Sequence, residues 1–75
     1  MAVGEAAREP VLTPREREVL ELLASGLNPA QVAARLHLGP ETIRSHVKSA
    51  MARLGASTRA QAVALALALE EIEPR

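Results

Sequence analysis

Residues 28–55, NPAQVAARLHLGPETIRSHVKSAMARLG, contain two helix starts and one helix stop within 28 positions. Asn28-Pro29-Ala30-Gln31 supplies a capping side chain, a proline at the first helical position and a third-position amide that can reach back to the cap. Gly39-Pro40 is a weaker cap with the same proline signal, and Gly55 suits the left-handed residue that follows a helix end. The predicted helices, about 29–36 and 40–54, are separated only by His37-Leu38-Gly39. A short helix that turns so tightly into a longer one has the spacing of a helix-turn-helix unit.

The flanks carry the same punctuation. Thr13-Pro14-Arg15-Glu16 and Thr58-Arg59-Ala60-Gln61 repeat the reciprocal cap pattern, and Gly26 follows the apolar run that the first of them opens. Helices are therefore predicted at about 14–25 and 59–71 as well, with Leu27 folding back onto Leu22 after the first. Segment 62–69, AVALALAL, alternates large and small residues as a strand does. Alanine and leucine are strong helix formers, a cap precedes the segment, and no second strand candidate exists to pair with it, so it is read as helix. The expected fold is all-α, a four-helix bundle-like domain over residues 12–73. Its helix-turn-helix unit spans about 29–54 and its last helix about 59–72, behind a flexible arm at 1–11.

At 100° per residue the third helix sorts into two faces. Ile43, Val47, Ala50 and Leu54 form a core stripe. Glu41, Arg44, Ser45, Lys48 and Ala52 share an opposite arc of about 100° that carries cations and small residues but no large apolar group. Such an arc suits the major groove of B-DNA, which admits one helix and displays guanine acceptors to Arg or Lys. Arg44 and Lys48 are expected to contact bases, Ser45 and Ala52 are small enough to let the helix backbone approach, and Glu41 is placed to accept from a cytosine amino group. Thr42, close to the helix N-terminus, is placed to give its hydroxyl to a phosphate. Arg35, Arg59 and Asn28 are the other expected phosphate contacts, and His46, between the arc and the core stripe, is expected either to pack or to contact a phosphate.

Charge and composition agree with a local polyanion-binding face. The 75 residues carry nine Lys+Arg and nine Glu, a net charge of zero, yet residues 35–59 sum to +4 while 1–34 and 60–75 each sum to −2. Cysteine, aspartate and all three aromatic residue types are absent. Disulfides, thiolate metal sites, cysteine nucleophiles and a phospho-accepting aspartate are thereby excluded. Ser45 and His46 diverge by 100° as helix neighbours and do not form a catalytic pair; His37 and His46 without Cys or Asp make a poor metal site. No enzyme activity, catalytic residue, cofactor or metal is expected. With no run of about 18 apolar residues and no signal-peptide pattern, the expected location is the cytoplasm, with no membrane partner. The Arg15-Glu16-Arg17-Glu18 cluster is read as the solvated face of the first helix.

The last helix is apolar nearly all round. Val63, Ala66 and Leu67 form one stripe and Leu65, Leu69 and Ile72 a second, roughly opposite. A domain this small covers only one of them, so the second is the expected homodimer interface.

The segment LTPREREVLELLASGLNPAQVAARLHLGPETIRSHVKSAMARLGASTRAQAV closely resembles the LuxR/FixJ-type DNA-binding domain, and the resemblance extends from Leu12 to about Ile72. It rests on LTPREREVL at 12–20, ASGL at 24–27, TIRSHV at 42–47 and the LG…R…AV pattern at 54–63. It implies a transcriptional regulator whose third helix reads double-stranded DNA through Arg44, Ser45 and Lys48, with phosphate contacts near Thr42 and Arg59. It also implies a fourth helix that pairs two copies. The family usually adds a sensory or receiver domain, which 11 residues before Leu12 are too few to form. The expectation is therefore either a free-standing member or an effector fragment whose control lies in a separate sensory or receiver protein. This chain departs from the family pattern at Gly39, where a serine is common, and at Glu41, where a lysine is common. Pro29-Ala30-Gln31 likewise stands where Asn-Lys-Glu is common. Each change weakens the grip on phosphate, which predicts low non-specific affinity. Two alternatives stay open: the promoter-reading region of a sigma factor, and a helical protein-interaction module that has lost DNA binding.

Overall fold

The computed structural model describes residues 10–73. Among them are four helices and no strand: α1 Pro14–Ala24, α2 Pro29–Leu36, α3 Pro40–Leu54 and α4 Arg59–Ala68. The all-α class and the four starts are as the sequence predicts. Residues 1–9 of the expected arm lie outside the described residues.

The starts follow cap chemistry, with one variation. Thr13 with Glu16, and Asn28 with Gln31, each form the full reciprocal box. Thr58 accepts from the Gln61 backbone N–H at 3.0 Å, but the Gln61 side chain reaches one residue further back and accepts from the Ser57 N–H at 2.6 Å. All four helices stop in the same way, with paired backbone bonds around a turning residue. After α1, Leu27 N–H bonds the Leu22 carbonyl and Gly26 N–H the Leu23 carbonyl; Gly26 has φ +106°. After α3 the turning residue is Gly55, with φ +70°.

The other two stops use side-chain-bearing residues in the left-handed region: His37 at φ +57° and Glu70 at φ +58°. That conformation costs an L-residue roughly 1 to 2 kcal/mol. His37→Gly is accordingly expected to raise stability by about 0.5 to 1 kcal/mol, part of the relief being offset by the freer unfolded chain. A higher urea midpoint at unchanged slope is the readout, and a lower midpoint would show that the His37 side chain contributes more than the turn costs.

Glu70 also explains where the expected helix 59–71 is too long. The chain leaves helical geometry after Ala68, and Glu71 N–H bonds back to the Ala66 carbonyl at 2.8 Å. The Glu71 carboxylate then accepts from the backbone N–H groups of Val11 and Leu12 at 3.1 and 3.0 Å, with the Arg17 guanidinium 3.9 Å away. This reversal carries Ile72 inward, where it is 3% exposed and packs in one cluster with Leu12, Leu20 and Ala66. Burying Ile72 and satisfying two backbone donors outweighs the helix propensity of the last turn.

The core is divided in two. Val19, Leu22, Val32, Ala33 and Ile43 form one cluster, between α1, α2 and the first half of α3. Leu20, Ala50, Ala62, Ala66, Leu12 and Ile72 form the other, between α1, the second half of α3 and α4. Leu23 packs against both. Helix α3 touches all three other helices, while α2 and α4 touch α1 and α3 but not each other.

Candidate nucleic-acid interface

Helix α3 is held on its inner side by Ile43 and Ala50, both fully buried, with Val47 and Leu54 half-buried beside them. That anchoring fixes which residues face out. Glu41, Arg44, Ser45, Lys48 and Ala52 are all exposed, as the helical wheel predicts, so the expected base-contacting side chains share one accessible face. The N-terminus of α3 has no side-chain cap at Gly39, which leaves the positive end of its dipole toward solvent. Thr42 is exposed within that first turn.

Arg44 is not free in this face. Its Nη2 lies 3.0 Å from Oε1 of Glu41, one turn earlier. Sequence reasoning assigned both residues to the groove arc without pairing them, although the i, i+3 spacing of opposite charges is a sufficient signal. Lys48, Arg35 and Arg59 take part in no ion pair among the described residues.

The expected phosphate contacts divide into groups. Arg59 lines a hollow of about 390 Å³ that it shares with Arg44, an expected base contact, and with Pro29 and Pro40. Because Pro29, Pro40 and Arg59 open α2, α3 and α4, three helix N-termini converge there. Of the two guanidiniums, Arg44 is paired with Glu41 and Arg59 is in no ion pair among the described residues, so Arg59 is the cation there available to a phosphate. Asn28 is exposed, but its Oδ1 is committed to the Gln31 N–H at 2.9 Å, so its amino end alone is available. His46 is half-buried between the groove arc and the core stripe. Arg35 is exposed on α2 and lines a different hollow, with Leu27, Gln31, Ala34 and His37, that no α3 residue borders.

Two further expectations change. Glu16 does not belong to a solvated face: it is 3% exposed, caps α1 through the Thr13 N–H at 2.9 Å, and holds the Arg53 Nε at 3.1 Å. Arg53 is thereby drawn from the basic block into a link between α1 and α3. On α4, the stripe assigned to association loses Ile72 to the core, leaving Leu65, half-buried, and Leu69, 37% exposed. Ala64 and Ala68 are exposed on the same helix. None of the described helices is long and apolar enough to cross a membrane.

Comparison with known proteins agrees with this geometry. The family model described as bacterial regulatory proteins, luxR family, matches residues 10–66. The spore germination protein GerE of Bacillus subtilis (strain 168) is 41% identical over 73 residues, covering 97% of this chain and 99% of that protein. A probable transcriptional regulatory protein NarL of Mycobacterium tuberculosis (strain ATCC 25618 / H37Rv) is 47% identical over 58 residues, 77% of this chain and 27% of the relative. For a probable transcriptional regulatory protein SgaR of Hyphomicrobium methylovorum the figures are 44% over 64 residues, 85% and 30%. This chain thus spans less than a third of the length of those two. The solved structure of the transcription factor GerE superposes with a TM-score of 0.81 at 33% identity, covering 88% of this chain and 97% of that one. The chain belongs to the luxR family of bacterial regulatory proteins.

Proposed function

We propose that this sequence-specific DNA-binding regulator of transcription lays α3 in the major groove, contacts bases through Arg44, Ser45 and Lys48, and binds as a homodimer. The carrying observation is that those side chains are exposed on one face of a helix whose other face is fixed by fully buried Ile43 and Ala50. A helix fixed in rotation presents the same residues to every duplex it meets, which base recognition requires. Thr42, Arg59 and the amino end of Asn28 set the register on the phosphates, with His46 at the edge and Arg35 further out along the backbone. Leu65 and Leu69 supply the apolar patch between two copies, so the operator is two-fold symmetric. The site of action is the cytoplasm, and the chain acts either as a free-standing regulator or under a separate sensory or receiver protein. Binding of this kind makes and breaks no covalent bond and calls for no cofactor.

Selection of bound duplexes from a random pool, followed by titration against scrambled duplex at several salt concentrations, tests the reading. A palindromic motif bound by two copies, with affinity falling as salt rises, is the expected result. Arg44→Ala is expected to cost about 1 to 3 kcal/mol at the enriched site while leaving non-specific affinity nearly unchanged. Equal loss at cognate and scrambled duplex would demote Arg44 to a phosphate contact. Failure to enrich any duplex, with a stable dimer present, would favour the interaction module.

A further inference from the structure

Glu41 and Arg44 are both on the groove face, and both remain largely in water, with side chains 85% and 72% exposed. An ion pair so solvated is cheap to open. Inside a groove the situation reverses for the carboxylate. Flanking phosphates repel it and the water it loses must be replaced, so it needs a hydrogen-bond donor. Major-groove donors are the exocyclic amino groups of adenine and cytosine. On adenine the amino group is flanked by acceptors on both sides, its own N7 and the thymine O4, which repel a carboxylate, whereas cytosine N4 has an acceptor, the guanine O6, on one side only. Arg44, released from Glu41, fits the O6 and N7 acceptors of guanine. Three residues advance a helix by about 4.5 Å, close to the roughly 3.4 Å step between base pairs, so the two side chains reach neighbouring pairs.

We propose that Glu41 and Arg44 form one composite reader. DNA opens their ion pair, Arg44 goes to a guanine, and Glu41 accepts from a cytosine amino group in the adjacent base pair, so that a site without that cytosine is rejected. The inference rests on α3 being the groove helix and adds a specificity that the cations alone lack. Its discrimination comes from the repulsive element: a carboxylate left unpaired penalises every wrong site.

The test uses the duplex enriched by the wild-type chain. The guanine read by Arg44 is the position whose preference Arg44→Ala erases, and the neighbouring pair is then varied through all four bases. Wild type is expected to favour cytosine at one neighbouring position by roughly 5- to 150-fold. Glu41→Ala is expected to bind all four within about threefold, and Glu41→Gln to shift the preference to adenine, whose N6 and N7 fit an amide. Glu41 is exposed, so unchanged helical circular dichroism is expected for both variants. If wild type shows no preference beside that guanine and Glu41→Ala binds all four duplexes more tightly by the same factor, Glu41 is a repulsive charge only and the composite reader is wrong. If wild type enriches a motif in which Arg44→Ala erases no guanine, the composite reader is equally wrong. If it enriches no motif at all, the groove reading itself has failed.

Discussion

Ile72→Ala is expected to cost the fold about 2 to 4 kcal/mol, read as a lower urea midpoint with unchanged slope. The side chain is 3% exposed and is packed with Leu12, Leu20, Ala50, Ala62 and Ala66, so its removal leaves a void where helix-end, arm and core meet. A chain of this length has roughly 4 to 11 kcal/mol in total, so the loss is a large part of the whole. The shift is expected to be independent of protein concentration, because the lost contacts lie within one copy. A residue between two copies behaves differently, its effect growing as the dimer is populated. A midpoint that moves only at high concentration would return Ile72 to the association face.

Glu16→Ala is the second large effect, at about 2 to 4 kcal/mol. Two losses combine: the Thr13 N–H is left without its acceptor at 2.9 Å, and Arg53 loses its partner at 3.1 Å. Glu16→Gln separates them, since the amide oxygen still accepts from Thr13 but carries no charge. It is expected to cost about half as much, with Arg53 being half in water and so only partly dependent on the pair. Denaturant titrations of both variants provide the comparison. Equal losses for Ala and Gln would mean that the charge, and not the cap, is what holds α1 in place.

Helix starts were legible in the sequence because a cap is local: a side chain and an amide three residues on, as at Thr13 and Asn28. The exposed face of α3 was legible for a similar reason, since helical periodicity alone separates Arg44 and Lys48 from Ile43 and Ala50. What escaped depended on distant partners. Glu71 is 59 residues from the Leu12 N–H it holds, and Glu16 is 37 from Arg53. No local pattern marks either acid as buried. The end of α4 was misplaced by three residues because Glu70 turns left-handed where a glycine would have announced the stop. His37 hid its turn in the same manner, though there the neighbouring Pro40 gave the boundary away. The Glu41 to Arg44 pair is the exception, being local and overlooked.

The separation of α2 from α4 has a bearing on how such a chain diverges. Val32 and Ala62 belong to different clusters, joined through α1, α3 and the side chain of Leu23. Substitutions around one should add to substitutions around the other, with coupling within a few tenths of a kcal/mol. The proposed recognition and association surfaces are then free to drift independently. If α3 reads DNA and α4 pairs two copies as proposed, new operator preferences can arise on the α2–α3 half while the α4 face stays as it was, and a change of partner on α4 need not disturb which bases are read.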